Sequence, residues 1–140
     1  MSGRTLWLRR VAALLAGAAL TAAFAPHGLW PLALLALAAL VLLWRDTASA
    51  REGALLGFWF GLGFYSTGTW WLFISIRVIG QSPVWVALLV MAGLVLIMSA
   101  YLAVLGYAVV RWLAPRSIAG ALLFVPAAWV LVEWWRGWFL

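Results

Sequence analysis

The stretch VIGQSPVWVALLVMAGLVLIMSAYLAVLGYAVV, Val78–Val110, contains no Asp, Glu, Lys or Arg. A helix needs about 20 apolar residues, at 1.5 Å each, to cross the hydrocarbon core of a bilayer. This stretch supplies that length with residues to spare. Three more charge-free stretches accompany it: Val11–Trp44, Gly53–Ile76 and Ser117–Val132. The 140 residues are 69% hydrophobic and only 9% charged, whereas soluble domains run near half apolar and about a quarter charged. An ordinary globular enzyme, a disordered tail and a nucleic-acid-binding domain are thereby excluded. The net charge of +6 comes from arginines scattered between apolar runs, not gathered on one face as nucleic acid requires. The expected class is all-α, a polytopic transmembrane helix bundle.

Val11–Trp44 is too long for one crossing and is broken at Ala25-Pro26-His27-Gly28-Leu29-Trp30-Pro31. The prolines disfavour continuous helix and Gly28 permits a tight turn. Five spans are therefore predicted, roughly 6–25, 29–44, 53–76, 84–112 and 118–135, the last with Pro126 inside it. With the N-terminus cytoplasmic, Arg4, Arg9, Arg10, Arg45, Arg51, Arg111 and Arg116 lie inside, and only Arg77 and Arg136 outside. That is the positive-inside pattern, and it leaves Leu140 on the outer side. A cleaved signal peptide is the competing reading of residues 4–25, with Ala23-Phe24-Ala25 as its cleavage motif. Pro26 would follow that cut directly, and the next apolar segment begins within a few residues.

Gly53, Gly57 and Gly61 recur every four residues and Gly68 extends the stripe, the small-xxx-small spacing of tight membrane helix contacts. The third helix is thus expected at the centre of the bundle. Of twelve tryptophans, Trp7, Trp30, Trp44, Trp85, Trp112, Trp134, Trp135 and Trp138 fall at predicted span ends, where indoles favour the headgroup level. Trp59 lies deeper. Trp70 and Trp71 close the run Tyr65-Ser66-Thr67-Gly68-Thr69, whose hydroxyls either bond neighbouring backbone or line a cavity.

Arg77, Glu133 and Arg136 are placed near the outer interface, with His27 and Gln81 at similar depth. Glu133 and Arg136 stand three apart on one helix face and suit pairing. Arg136 also suits a lipid phosphate, or simple snorkelling to the interface. His27 reads as a turn residue, and a single histidine without cysteine gives no metal site. No nucleophile elbow, His-Glu-x-x-His or phosphate loop is present. Asp46 and Glu52 sit in a loop beside Arg45 and Arg51, so no paired-carboxylate chemistry is expected, nor any cofactor.

Three segments in register resemble bacterial apolipoprotein N-acyltransferases. They are Phe24-Ala25-Pro26-His27-Gly28-Leu29-Trp30-Pro31-Leu32; Gly57-x-x-x-Gly61 with Gly68-Thr69-Trp70-Trp71-Leu72-Phe73-Ile74-Ser75-Ile76; and Pro126–Trp138, containing Glu133-Trp134-Trp135-Arg136-Gly137-Trp138. The resemblance implies an inner-membrane enzyme that moves an acyl chain from a phospholipid to the N-terminal cysteine of diacylated lipoproteins. It implies about eight spans and a periplasmic nitrilase-like domain whose Glu-Lys-Cys triad works through a thioester, a covalent route. This sequence has no Lys and no Cys, so that triad has no counterpart in it. The expectation is an N-terminal fragment, not catalytic alone, that anchors the catalytic domain, with phospholipid and apolipoprotein as partners of the whole. Trp70, Trp71, Arg77, Glu133 and Arg136 are the candidate residues of an outer mouth for lipid. The rival readings are a standalone transporter or lipid-translocating protein and a structural membrane subunit.

Overall fold

A computed structural model of the chain describes residues 3–24, 26–112 and 118–139, and among these every regular element is helical. Ala25, where the first expected span ends, as well as Arg116 and Leu140, lie outside the described residues.

Helix α1 covers Gly3–Thr21 and α2 covers Pro31–Arg45. The chain between them is tied by Leu29 N donating to Ala22 O at 3.1 Å and Gly28 N to Phe24 O at 3.0 Å. Gly28 sits at φ +64°, where a residue without Cβ is at ease. Pro31 opens α2, at a position whose N–H would have no helical partner anyway. Helix α3 covers Ala50–Gly68, with Glu52 in its first turn, where the helix dipole favours an acid.

The predicted third span of 53–76 is not one helix. It breaks at Thr69 (φ −99°, ψ 10°), whose N–H and hydroxyl both go to Tyr65 O, at 3.0 and 2.7 Å. A short α4, Trp70–Ile74, follows and runs into a π-helical turn at Ser75–Ile79. Hydroxyl donation back to a carbonyl four residues earlier competes with the backbone ladder and bends helices, which accounts for the break. Helix α5, Val84–Trp112, has 29 residues and is about 43 Å long. Helix α6, Ile118–Phe139, continues past the expected end at 135 and carries Pro126 inside it. That proline leaves the Leu122 carbonyl without its helical donor.

Two crossings organise the bundle, and α3 takes part in both. On one side it runs parallel to α1 and on the other antiparallel to α5. A Cβ on Gly53 would stand 2.8 Å from Gly106 O, one on Gly61 2.8 Å from Ser99 Cα, and one on Gly57 would run into Leu102 O. Towards α1, Gly63 meets Leu14 O, and Gly17 of α1 meets Phe60 O. Gly68 faces Thr21 of α1 at an ordinary 3.8 Å, rather than α5. Backbones this close maximise dispersion contact between the helices. Leu56, Phe60, Leu102, Leu105 and Val109 fill the centre.

Trp44 does not join an interfacial belt. It is 2% exposed and its indole N–H donates to Gly53 O at 3.0 Å, tying the end of α2 to the start of α3. The outward faces remain apolar, with Leu15, Leu34, Leu35, Leu88, Leu89 and Leu131 exposed. Among the described residues one helix, Val84–Trp112, is long and apolar enough to cross a membrane; Pro31–Arg45 and Trp70–Ile79 are shorter apolar helices. Between α2 and α6 lies an apolar crevice of about 650 Å³, walled by Leu37, Val41, Trp44, Val125 and Trp129 among others.

Candidate functional site

Glu133 and Arg136 form an ion pair one turn apart on α6, with Arg136 Nε 3.1 Å from Glu133 Oε2 and Nη2 also bonded to that oxygen. The remaining guanidinium nitrogen, Nη1, reaches Met98 Sδ on α5 at 3.4 Å. Next to it, Trp135 packs edge-on against Tyr101 with ring centroids 5.5 Å apart. Both contacts fix the depth of the pair. Met98 is the central residue of Val84–Trp112, about 21 Å along the axis from either end.

Arg77 lies elsewhere. Its Nη1 donates to Ser82 O at 3.1 Å, two residues ahead of α5, so it stands at the top of that helix about 20 Å from the level of Arg136. Trp70 stacks on Phe73 at 5.4 Å, and Trp71 is 64% exposed. No hydrogen bond, ion pair or ring contact links Trp70, Trp71 or Arg77 to Glu133 and Arg136. The five residues therefore divide between α4 with the π turn after it, and an ion pair on α6 that packs against the middle of α5. The sequence expectation gathered all five at one mouth, whereas the contacts of the structure join only Glu133 with Arg136. His27 and Gln81 are both exposed, and Gln81 has φ +46°.

The hydroxyls of the polar run are used in helix contacts. Thr21 Oγ1 and Thr67 Oγ1 share one hydrogen bond of 2.6 Å, and the hydroxyl that accepts it gives its own proton to a carbonyl, Gly63 O at 2.8 Å from Thr67 or Phe64 O at 3.2 Å from Thr21. They join α1 to α3.

The other end of the bundle is arginine-rich. Arg10 makes a two-pronged bond to Glu52, Nε–Oε1 3.1 Å and Nη2–Oε2 2.7 Å, joining α1 to α3. Arg9 donates to the carbonyls of Leu43 and Asp46 and to Thr47 Oγ1. It thereby caps the C-terminus of α2, where a cation also meets the negative end of the helix dipole. Among the described residues no cluster of three His, Asp or Glu side chains is placed to hold a metal.

The family model described as the apolipoprotein N-acyltransferase N-terminal domain matches residues 16–140. The chain belongs to the apolipoprotein N-acyltransferase family. Relatives bearing that name include one from Ralstonia nicotianae, 43% identical over 132 residues, covering 89% of this chain and 24% of the relative. One from Methylococcus capsulatus is 42% identical over 131 residues, covering 90% of this chain and 25% of the relative. One from Pseudomonas putida is 37% identical over 136 residues, covering 96% and 26%. The chain thus spans about a quarter of the length of the curated relatives it matches. All five candidate residues fall within the matched range.

Proposed function

We propose that this chain is the membrane-embedded N-terminal part of an enzyme that transfers an acyl chain from a phospholipid to the N-terminal cysteine of a lipoprotein. The observation that carries the reading is the family match over 16–140, with its relatives named for that activity. The helices cross the bacterial cytoplasmic membrane five times, the N-terminus inside, with α4 and its π turn prolonging the third crossing. Support comes from the lipid-like outer faces and from the gathering of Arg4, Arg9, Arg10, Arg45, Arg51 and Arg111 at one end of the bundle, the end that faces the cytoplasm under the positive-inside rule.

The chain itself holds neither Lys nor Cys; the family resemblance implies that a nitrilase-like domain outside these residues supplies the acyl-carrying nucleophile. What these residues contribute is position. Anchoring sets the reacting groups at the outer leaflet, and holding reactants in place lowers the entropic part of the barrier. Trp70, Trp71 and Arg77 form the rim of a mouth open to the outer leaflet. Glu133 and Arg136 form a polar step below it, where a paired charge costs far less than a lone one.

A domain exchange tests this. Residues 16–140 replace the corresponding part of the Ralstonia nicotianae relative, and lipoprotein N-acylation is followed by mass spectrometry in cells depleted of their own enzyme. Triacylated lipoprotein is expected. A chimera that inserts in the membrane yet leaves lipoproteins diacylated overturns the proposal.

A further inference from the structure

Six described arginines stand at the basic end of the bundle, and they divide sharply by what they do. Arg9 and Arg10 are consumed within the fold, one on the carbonyls closing α2 and the other on Glu52. Arg4, Arg45, Arg51 and Arg111 are exposed and form no hydrogen bond or ion pair with any described residue. They come from four different helices, yet the packing brings those helix ends together. The Arg10–Glu52 pair sets the start of α1 beside the start of α3. The Trp44 indole on Gly53 O sets the end of α2 there too, and the contact of Gly53 with Val110 adds the end of α5. The only acids at this end are Asp46 and Glu52, and Glu52 is already paired. Trp112, next in sequence to Arg111, is 71% accessible, as suits an indole among headgroups.

We infer that this end is a binding collar for anionic phospholipid headgroups. Guanidinium forks pair with phosphate oxygens in bidentate fashion, and four of them from separate helices reach several headgroups at once. A zwitterionic headgroup presents the same phosphate with a compensating ammonium, so the net charge favours the anionic lipid. The apolar belt directly above the ring selects a lipid over a soluble acidic peptide. Anionic lipid thereby clasps the ends of α1, α2, α3 and α5 from outside, as Arg9 and Arg10 do from within.

The inference rests on the bilayer reading above, and the test separates the two. The 140-residue chain is reconstituted in phosphatidylcholine vesicles with trace spin-labelled phosphatidylglycerol or phosphatidylcholine, and the motionally restricted fraction of each is compared. Resistance to carbonate extraction checks insertion first; a chain that washes off overturns the bilayer reading and the collar with it. For an inserted chain, a several-fold preference for phosphatidylglycerol at low salt is expected. It should fall towards unity in 1 M salt, where the Debye length is about 3 Å. Arg4→Gln, Arg45→Gln, Arg51→Gln and Arg111→Gln should each remove part of it, and the four together should abolish it while helical circular dichroism is kept. An inserted chain with equal affinity for both lipids, or a preference untouched by the four substitutions, overturns the collar alone. Displacement of the labelled lipid by millimolar inorganic phosphate or by poly-glutamate assigns the site to soluble anions and also overturns it.

Discussion

Replacing Gly57 by alanine measures how much the crossing of α3 and α5 depends on backbone proximity. The new Cβ would stand 2.9 Å from the Leu102 carbonyl carbon and nearer still to its oxygen, against 3.5–4.0 Å for comfortable contact. The obstacle is helical backbone, so relief means parting the two helices by about 1 Å, and a gap of that size forfeits a quarter to a half of each dispersion contact along the crossing. Overpacking of this kind costs about 1–3 kcal/mol, with the upper end expected where the neighbour is rigid. Alanine returns up to about 1 kcal/mol in helix propensity. A net loss of about 2 kcal/mol should remain. Gly93, on α5, is the matched control, because a Cβ there meets nothing within 4 Å. Gly93→Ala should therefore be neutral or stabilising by up to about 1 kcal/mol. Unfolding in mixed micelles of increasing SDS fraction, followed by circular dichroism, reads both variants. The reasoning fails if Gly57→Ala resists SDS as well as the parent chain, or if both alanines shift the midpoint in the same direction.

Two further outcomes follow from the basic end and from the topology. In a double-mutant cycle of Arg10→Gln and Glu52→Gln, each single change should cost about 1–2 kcal/mol, since it leaves a half-buried charged group without its two-pronged partner. A coupling energy indistinguishable from zero in the same SDS titration would show that the pair does not hold α1 to α3. Because the chain contains no cysteine, single cysteines report sidedness without background. In intact cells a membrane-impermeant maleimide should label His27→Cys and Gln81→Cys and spare Ser49→Cys. Labelling of position 49 together with 81 would refute the proposed arrangement of crossings.

The all-helical class was legible because the charge-free apolar stretches are too long for strands and suit helices. The glycine spacing of four pointed to α3 as a packing centre. Its second contact face was not visible, since Gly63 lies off that spacing, and Gly17, which meets Phe60 from α1, belongs to a run of alanines with no period of its own. Trp44 was misread as interfacial because a tryptophan beside an arginine at a helix end looks the same whether the indole turns to lipid or to a carbonyl. Only the position of Gly53 O, supplied by another helix, decides. The break at Thr69 was hidden for a related reason: threonine hydroxyls bond either across helices or back along their own. For the candidate site, the Glu133–Arg136 pair was readable from spacing, whereas its depth depends on Met98 and Tyr101 of α5, partners that no local pattern reveals.

The notches on α3 also bear on the order in which the chain is assembled during synthesis. Helices α1 and α3 are parallel, so they cannot meet until α2 has reversed the chain direction and α3 has followed; until then Gly17 offers an open slot with nothing in it. Membrane helices that await a partner are the stage at which wrong pairings form. Once α3 has docked, its second face, Gly53, Gly57 and Gly61, is the template on which α5 lands. A fault in the third helix would therefore be felt twice, in the docking against α1 and in the surface offered to α5.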